Sequence, residues 1–491
     1  MKPLVAPAES GEATARHLIS TPKRIFDEAA VSAALKDVLD GLTDPAEIQA
    51  AAVAVLQDAQ KNGRAEIARA FAASPFNARP MTSAYCYLTD QLVRTTLQIA
   101  GQRLNPVETL GPNDRLAVIG VGGYGRGEMA PYSDVDLLFL IPQTPSQRTE
   151  NLIESMLYML WDLGLTVGQS TRSIDECVRQ AKADWTIATA LLEARYIWGE
   201  KGFFSDLKTK FRRQVMDQSG PDFLEAKLAE RDERHGRLGD SRYVLEPNIK
   251  DGKGGLRDLH TLFWTAKFLY KVEDIEELAP LGVLTGGEVE RFRKAQQFLW
   301  TLRCHLHYLA RRPEERLTFD VQPELARRML YTDHAGASGV ERFMKHYFLI
   351  AKEVGDLTRI FLAAFEAQHK RRSLFRLPTA LFRREADGFP IESGRLTTRG
   401  KSHFADAPVD MLRLFLVSHE TGIPIHPDAL AQVTRNLRRV PKLRDDAAAN
   451  ELFLKILAHE RDPEGVLRQM NECDLFGKFL PDFGRVVAQM Q

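Results

Sequence analysis

The sequence predicts an α+β protein that is mainly helical, with a small mixed sheet and helical bundles on both sides of it. Three short runs have the composition of strands, namely LAVIGVGG at 116–123, VDLLFLI at 135–141 and the weaker LTVGQSTR at 165–172. The segments before and after these runs have helical patterns instead. A sheet confined to residues 116–172 of a 491-residue chain defines this fold class.

The composition is that of an ordinary folded protein, and it argues against nucleic-acid-binding, disulfide-rich and membrane-spanning proteins. The 66 basic and 66 acidic residues balance, so no global basic field favours nucleic acid, which is not expected as a partner. The four cysteines lie far apart without a CxxC pair, which argues against a disulfide framework and fits a reducing cytoplasm. The sequence contains no run of 18 apolar residues, so no membrane span is predicted.

Helical signals are clearest before the first strand. Asp44 supplies a capping carboxylate, Pro45 occupies the first helical position and Glu47 is placed as a capping-box partner. This helix is predicted to reach about Ala73, and a second one to span 83–104. A further helix is expected between the second and third strands, at about 147–163.

The length indicates about three domains, at roughly 150 residues per domain. From about residue 184 to 368 the chain is predicted to be almost entirely helical, apart from a loop at 245–258. Residues 370–401 hold nine Lys or Arg and three acids, so they form either a basic connector or a small strand-rich insert. The predicted segments are a disordered tail (1–22), an N-terminal helical region (23–105), the strand-bearing core (106–200), a helical domain (201–369), and the basic connector with further helices (370–491).

The stretch from 120 to 140, GVGGYGRGEMAPYSDVDLLFL, carries the chemistry. Asp134 and Asp136 begin a strand one residue apart, so both side chains lie on one face, roughly 6–7 Å apart along the chain. Two carboxylates so placed repel each other unless a hard cation neutralises them. Mg²⁺ prefers one or two carboxylates together with phosphate oxygens. The pair therefore predicts a metal site that acts on a phosphate.

The glycines before these acids suit the same ligand. Gly122 and Gly123 end a strand and open a turn, where a backbone without Cβ atoms can approach a triphosphate and donate N–H groups to it. Ser133 is placed to donate to the same phosphates, and Arg126 to add positive charge. A strand, two glycines, a nine-residue gap, Ser-Asp-x-Asp and a second strand together favour function over a solvated turn.

This arrangement resembles the DNA-polymerase-β-like nucleotidyltransferases, and more specifically the bacterial PII-protein uridylyltransferase/uridylyl-removing family. A second string, LEPNIKDGKGGLRDLHTLFW at 245–264, resembles the same family, and the resemblance extends over about residues 85–491. It implies transfer of UMP from UTP to a tyrosine of the PII signalling protein, with release of pyrophosphate. Asp134 and Asp136 would be the catalytic, metal-holding residues, with Mg²⁺ as cofactor and Mn²⁺ as an alternative.

The sequence departs from the family pattern in two places. Family members continue into a metal-binding HD domain and two glutamine-sensing ACT domains, whereas this sequence has no His-Asp dipeptide, so removal of UMP and sensing of glutamine are expected to be absent. Many superfamily members also place a third carboxylate on a later strand. The strand predicted here holds no acid, and three acids flank it without a basis for choice: Asp162, Asp175 and Glu176.

One further segment and two other functions stay open. The loop NIKDGKGG at 248–255 carries Lys250 and Lys253, which are predicted either to bind phosphates as point charges or to belong to a plain glycine-rich turn. The acceptor of the nucleotide could instead be RNA, a small molecule or another protein. A non-catalytic module that binds PII is the remaining alternative, although such a module has no need of paired metal carboxylates.

Overall fold

The structure is a computed structural model that describes residues 17–238, 244–373, 385–392, 394–459 and 463–486. Its chain divides into two compact units. The first comprises Met1–Asp232, Lys267–Lys271 and Gln297–Leu317, and the second comprises Glu233–Ala266, Val272–Gln296 and Thr318–Gln491. Most of the predicted tail, residues 1–22, lies outside the described residues. The described part of the chain has no helix with the length and hydropathy needed to cross a membrane.

The first unit begins with helices that confirm the sequence prediction. The carboxylate of Asp44 accepts hydrogen bonds from the backbone N–H groups of Ala46 and Glu47 at 2.9 and 3.0 Å, which caps the predicted helix. The next helix is buried along almost its whole length and continues into a π-helical turn at Ala100–Leu104. The helices are α1 (Pro22–Ile25), α2 (Glu28–Leu39), α3 (Pro45–Ala73) and α4 (Ala78–Ile99).

The four-stranded sheet of this unit is mixed, as predicted. Its strand order is β3-β2-β1-β4, with β1 antiparallel to β2 and β4, and β2 parallel to β3. The elements are β1 (Ala117–Gly120), α5 (Gly122–Gly125), β2 (Val135–Leu140), α6 (Gln147–Asp162), β3 (Val167–Arg172), α7 (Ile174–Ala183), α8 (Trp185–Leu192), β4 (Arg195–Gly199), α9 (Lys201–Phe211) and α10 (Gly220–Arg237, whose residues from Glu233 on belong to the second unit).

The strand β4 corrects the prediction that the chain is almost entirely helical from about residue 184 to 368. Its five residues, RYIWG, stand between helices and do not alternate between apolar and polar side chains. The strand exists because it pairs with β1, from Gly120 opposite Arg195 to Ala117 opposite Gly199. Such a tertiary contact is not visible in local sequence.

The second unit is mainly helical, and a small three-stranded sheet, β5-β6-β7, lies within the predicted basic segment. Part of that segment, 374–384 and residue 393, falls outside the described residues. The core around Phe404, Phe415 and Met470 packs the later helices together. The elements are α11 (Leu256–Tyr270), α12 (Gly286–Ala310, which contributes to both units), α13 (Gln322–Arg328), α14 (Gly339–Ser373), β5 (Glu385–Ala386), β6 (Phe389–Glu392), β7 (Arg395–Leu396), α15 (His403–Asp406), α16 (Asp410–Thr421), α17 (Pro427–Asn436), α18 (Ala447–Leu457), α19 (Pro463–Glu472), α20 (Leu475–Phe479) and α21 (Pro481–Val486).

Packing and helix propensity make opposite demands on the glycine at position 63. A Cβ on Gly63 of α3 would overlap the carbonyl oxygen of Ile25 and lie 2.8 Å from Cδ1 of Leu88, so α1 and α4 approach α3 at this point. Gly63→Ala is therefore expected to lower the free energy of unfolding by about 1–3 kcal/mol, although alanine favours helices. In Gly236→Ala the new Cβ meets nothing within 4 Å, so a gain of about 0.5–1 kcal/mol is expected. Urea unfolding measures both, and a stabilised Gly63→Ala would contradict the close packing.

Candidate active site

The two predicted carboxylates lie where β2 begins. Asp134 precedes the strand and is exposed, and Asp136 is its second residue and half-buried. The backbone is fixed on both sides, because the carbonyl of Asp136 accepts a hydrogen bond from Val121 at 3.0 Å and the N–H of Val135 donates to Thr166 at 2.9 Å. The strand thus presents the two acids beside the ends of β1 and β3.

The carboxylate of Asp136 occupies space that two glycines leave empty. A Cβ on Gly122 would lie 2.8 Å from its Oδ2, and a Cβ on Gly168 would lie 2.5 Å from its Oδ1. Gly122 also has φ +61, in the left-handed region that favours glycine. Gly168 pairs in register with Asp136 across β2 and β3. A side chain at either position would move the carboxylate.

A glycine turn follows β1, as the sequence predicts. Gly123 also stabilises this turn through its backbone. The N–H of Glu128 donates to the carbonyl of Gly123 at 2.9 Å, and a Cβ on Gly123 would lie 3.1 Å from the carbonyl oxygen of Glu128. The first N–H groups of a helix have no partner within the helix, so those of the short helix α5 are suited to bind an anion. Binding of phosphates by Gly122 and Gly123 stays a prediction.

Ser133 closes the loop between the turn and the acids. Its N–H donates to the carbonyl of Ala130 at 3.1 Å, and its Oγ accepts from the N–H of Ala130 at 3.0 Å. Because the hydroxyl is the acceptor in this bond, its own proton can still be donated to a phosphate.

A buried ion pair supports the glycine turn from the protein interior. Both guanidinium Nη atoms of Arg195 donate to the carboxylate of Asp90, at 2.7 and 3.0 Å, and one of them also donates to the carbonyl of Tyr124 at 3.1 Å. The hydroxyl of Tyr124 donates to Asp90 at 2.6 Å. Asp90 is 2% exposed and Tyr124 1%. Burial raises the pKa of Tyr124, and the charge of Asp90 adds to the effect, so this phenol stays a proton donor.

A second ion-pair group holds the other end of the turn. The guanidinium of Arg126 donates to Glu193 at 2.5 Å and to Glu128 at 2.9 Å, and the side chain of Glu193 is only 4% exposed. Burial alone would lower the pKa of Arg126, but the two glutamates outweigh it and raise that pKa. The sequence assigned Arg126 to the phosphates. In the structure its charge is shared by two carboxylates, so its nucleotide-binding role stays a prediction.

The three acids considered as a third carboxylate have other partners. Asp162 accepts from the side chain of Gln49 at 2.8 Å, Asp175 pairs with Lys210 at 2.9 Å, and Glu176 caps α7 by accepting from the N–H of Ser173 at 2.9 Å. Within the described ranges, no group of three or more His, Cys, Asp or Glu side chains is arranged to hold a metal ion.

The pair Asp134 and Asp136 fits a hard cation. Both supply oxygen, and the space around the Asp136 carboxylate is kept free of neighbouring Cβ atoms by Gly122 and Gly168. Mg²⁺ commonly takes one or two protein carboxylates and completes its shell with water and substrate phosphates. Two carboxylates are therefore sufficient protein ligands for such an ion.

The predicted lysine loop lies in the second unit, where it is held in one shape. The side chain of Asn248 accepts from the N–H groups of Lys250 and Asp251 at 3.0 and 2.7 Å. Lys253 pairs with Glu472 at 3.0 Å, and Lys250 is half-buried. A phosphate-binding role for the two lysines stays a prediction.

Sequence reasoning missed four residues of this site: Gly168, Asp90, Arg195 and Glu193. The ion pairs join positions far apart in the chain, so no local pattern indicates them. Gly168 did carry a signal, since a glycine inside a strand often marks a close approach by another group.

Comparison with known proteins agrees with this geometry. A nucleotidyltransferase domain model matches residues 104–195, which contain the strands β1 to β3 and both carboxylates. The GlnD PII-uridylyltransferase model matches residues 222–362, and the model of the uridylyltransferase GlnD third domain matches residues 389–479. The first unit therefore contains a nucleotidyltransferase domain.

The relatives narrow the class to one family. Over 474 residues the chain is 52% identical to a bifunctional uridylyltransferase/uridylyl-removing enzyme of Rhodospirillum rubrum, covering 96% of this chain and 51% of that protein. It is 53% identical over 449 residues to the protein of the same name from Azospirillum brasilense, covering 91% of this chain and 48% of that protein. The chain belongs to the GlnD PII-uridylyltransferase family. It spans about half the length of the curated relatives it matches.

Substitution can distinguish a structural role of Arg126 from a role in binding phosphates. In Arg126→Met, two carboxylates lose their shared cation in a buried setting, so the free energy of unfolding should fall by about 3–5 kcal/mol. Arg179→Met is the matched control, because Arg179 is exposed and its 3.7 Å pair with Glu176 should contribute less than about 1 kcal/mol. Unchanged stability of Arg126→Met in urea, together with weaker nucleotide binding, would assign Arg126 to the phosphates instead.

The space at Gly168 gives a second test. In Gly168→Ala the new Cβ must displace the carboxylate of Asp136, so Mg²⁺-dependent nucleotide affinity should fall about tenfold or more, as for one lost charge-assisted contact. Ser170→Ala, on the same strand, should leave it within about twofold. Calorimetry measures both affinities. Equal affinity for Gly168→Ala and the wild type would show that the position of Asp136 is not critical.

Proposed function

We propose that this chain transfers UMP from UTP to a tyrosine hydroxyl of the PII signalling protein and releases pyrophosphate. The observation that carries the proposal is the pair Asp134 and Asp136 at the start of β2, with the carboxylate of Asp136 held between Gly122 and Gly168, in a chain about half identical to proteins named uridylyltransferase. The phenolic oxygen forms a bond to the α-phosphorus. The bond from the α-phosphorus to the bridging oxygen breaks, pyrophosphate leaves with that electron pair, and the phenolic proton passes to solvent.

Asp134 and Asp136 would hold Mg²⁺, or Mn²⁺ in its place. When bound, such an ion supplies neutralisation of the triphosphate and of the departing pyrophosphate, and it lowers the pKa of an oxygen nucleophile. The second effect matters because a free tyrosine has a pKa near 10 and is almost fully protonated at neutral pH. The half-buried position of Asp136 fixes one carboxylate, while the exposed Asp134 remains accessible to the substrate side.

The chain's own groups would orient the nucleotide. The backbone N–H groups of Gly122 and Gly123, at the start of α5, would donate to the phosphates, and the hydroxyl of Ser133 would add a donor beside the acids. The turn keeps its shape because Tyr124 and Arg126, within it and directly after it, are bound by buried acids. Preorganised donors need no rearrangement as charge develops, so they favour the transition state.

Two further assignments belong to this proposal. Lys250 and Lys253 would contribute positive charge to the phosphates, with Lys253 exchanging its present pairing with Glu472 for the nucleotide. The cytoplasm is the proposed compartment, because all four cysteines are buried and free, as is usual in reducing surroundings.

Substitution of the acids tests the assignment. Asp134→Asn and Asp136→Asn remove charge with little change in volume, so transfer to PII should fall by about a hundredfold or more while the fold is retained. Glu154→Gln removes a carboxylate from the exposed face of α6 and should keep activity within about twofold. The added UMP mass on PII is followed by mass spectrometry at saturating Mg²⁺. Near-normal transfer by either aspartate variant would refute the site.

The choice of substrates needs a parallel measurement. UTP, ATP and CTP are each offered with PII and with RNA as acceptor. The proposal requires that label from UTP appears on PII. Label on RNA, or on neither acceptor, would reject PII uridylylation.

A further inference from the structure

The strand β3 forms an edge of the sheet next to the strand that carries Asp136. At its two ends, the carbonyls of Thr166 and Arg172 accept hydrogen bonds from N–H groups of β2 and the residue after it, at 2.9 and 3.1 Å. The even-numbered residues of this strand therefore turn their backbone groups toward β2. The remaining residues turn their N–H and C=O groups to the outer side, namely Val167, Gln169 and Thr171.

Within the described part of the chain, the first five residues of β3 have none of the usual protection against strand addition, and the charge in the strand is that of Arg172 at its end. Natural edge strands carry lysine, proline or a bulge that prevents pairing with another chain. The sequence VGQST, from Val167 to Thr171, contains no charge and no proline, and its pairing with β2 runs in unbroken register. Gly168, Gln169 and Thr171 are exposed. An extended segment of another protein can therefore pair with it.

The edge is continuous with the carboxylate site. Gly168 stands directly beside Asp136, and the Oδ1 atom of Asp136 leans over it, into the space where a Cβ would be. The absence of a side chain at Gly168 leaves a path across β3 from the outer edge to the carboxylate. No other residue type would leave this path open.

We infer that the acceptor protein binds as an added strand along the outer edge of β3 and passes its tyrosine across Gly168 to Asp136. The inference rests on the proposed function. An added strand would lie about 10 Å from β2, which is two strand spacings. The long tyrosine side chain can cover that separation together with the aspartate, whereas serine and threonine are too short. Backbone pairing with β3 thus accounts for a tyrosine acceptor.

Proline at Gln169 tests the pairing without breaking the sheet. The N–H of Gln169 faces outward, so Gln169→Pro removes a donor from the edge but none of the bonds to β2, and proline is tolerated at such edge positions. The kcat/KM for PII should fall about tenfold, as expected when an added strand loses a backbone hydrogen bond and meets a proline ring. The affinity for UTP, measured by calorimetry, should stay within about twofold.

Gln147→Pro is the matched control. It makes the same exchange at an exposed first helical position, where the preceding Ser146 already has the extended backbone that proline requires, with φ −78 and ψ 156. Its kcat/KM for PII should equal that of the wild type within about twofold. An unchanged kcat/KM in Gln169→Pro, or a fall in UTP affinity large enough to explain the whole loss, would overturn strand addition.

A measurement on the wild type covers the case in which Gln169→Pro does not fold. Hydrogen exchange of the amides at 167–171 should slow about tenfold or more when PII and a non-hydrolysable UTP analogue are added. Unchanged exchange at saturating PII would also overturn the inference. A wild-type chain that adds no UMP to PII defeats the proposed function, whereas a wild type that adds UMP while Gln169→Pro is equally efficient defeats strand addition alone.

Discussion

The buried pairing of Asp90 with Arg195 joins the parts of the nucleotidyltransferase unit. Asp90 belongs to the central helix α4, Arg195 begins the strand β4, and Tyr124, which contacts both, lies in the glycine turn. Burial by itself lowers the pKa of Arg195, but the charge of Asp90 outweighs it and raises that pKa. Such a pair contributes little net stability over an apolar packing, yet loss of one partner leaves a costly isolated charge. Its main effect here is to fix one arrangement of helix, strand and turn.

In the second unit, a buried carboxylate bound by an arginine also supports the glycine-rich loop at 248–255. Asp258, which is 3% exposed, accepts hydrogen bonds from Arg234 at 2.5 Å, from His235 at 2.9 Å and from the N–H of Gly254 at 2.8 Å. Burial alone would raise the pKa of Asp258, but these donors lower it, so the carboxylate stays ionised. Arg234 also donates to the carbonyl of Asp251 at 3.1 Å. Both glycine-rich segments are therefore supported by a buried carboxylate and an arginine in addition to their own hydrogen bonds.

Sequence reasoning reached the features that depend on local pattern. The apolar runs give β1 to β3, the cap at Asp44 gives the start of α3, and the spacing of Asp134 and Asp136 gives one face of a strand. The sequence did not predict the strand β4, because this strand is defined by its pairing with β1, which is distant in the chain. Arg126 shows the same limit for chemistry: the sequence reveals a cation beside a glycine turn, but only the fold reveals that Glu128 and Glu193 already surround it.

These pairings determine the electrostatics of the site. The two arginines that contact the turn, Arg126 and Arg195, are each bound to acids, and Asp134 and Asp136 add negative charge beside them. Among the described residues around the turn, carboxylates thus outnumber guanidinium groups, and a triphosphate approaching those carboxylates would be repelled by them. Divalent cations reverse that repulsion, because they bind the carboxylates and the phosphates together. Under the proposed function the acids would therefore make nucleotide binding depend on the cation, while Arg126 and Arg195, each held by acids, support the shape of the turn.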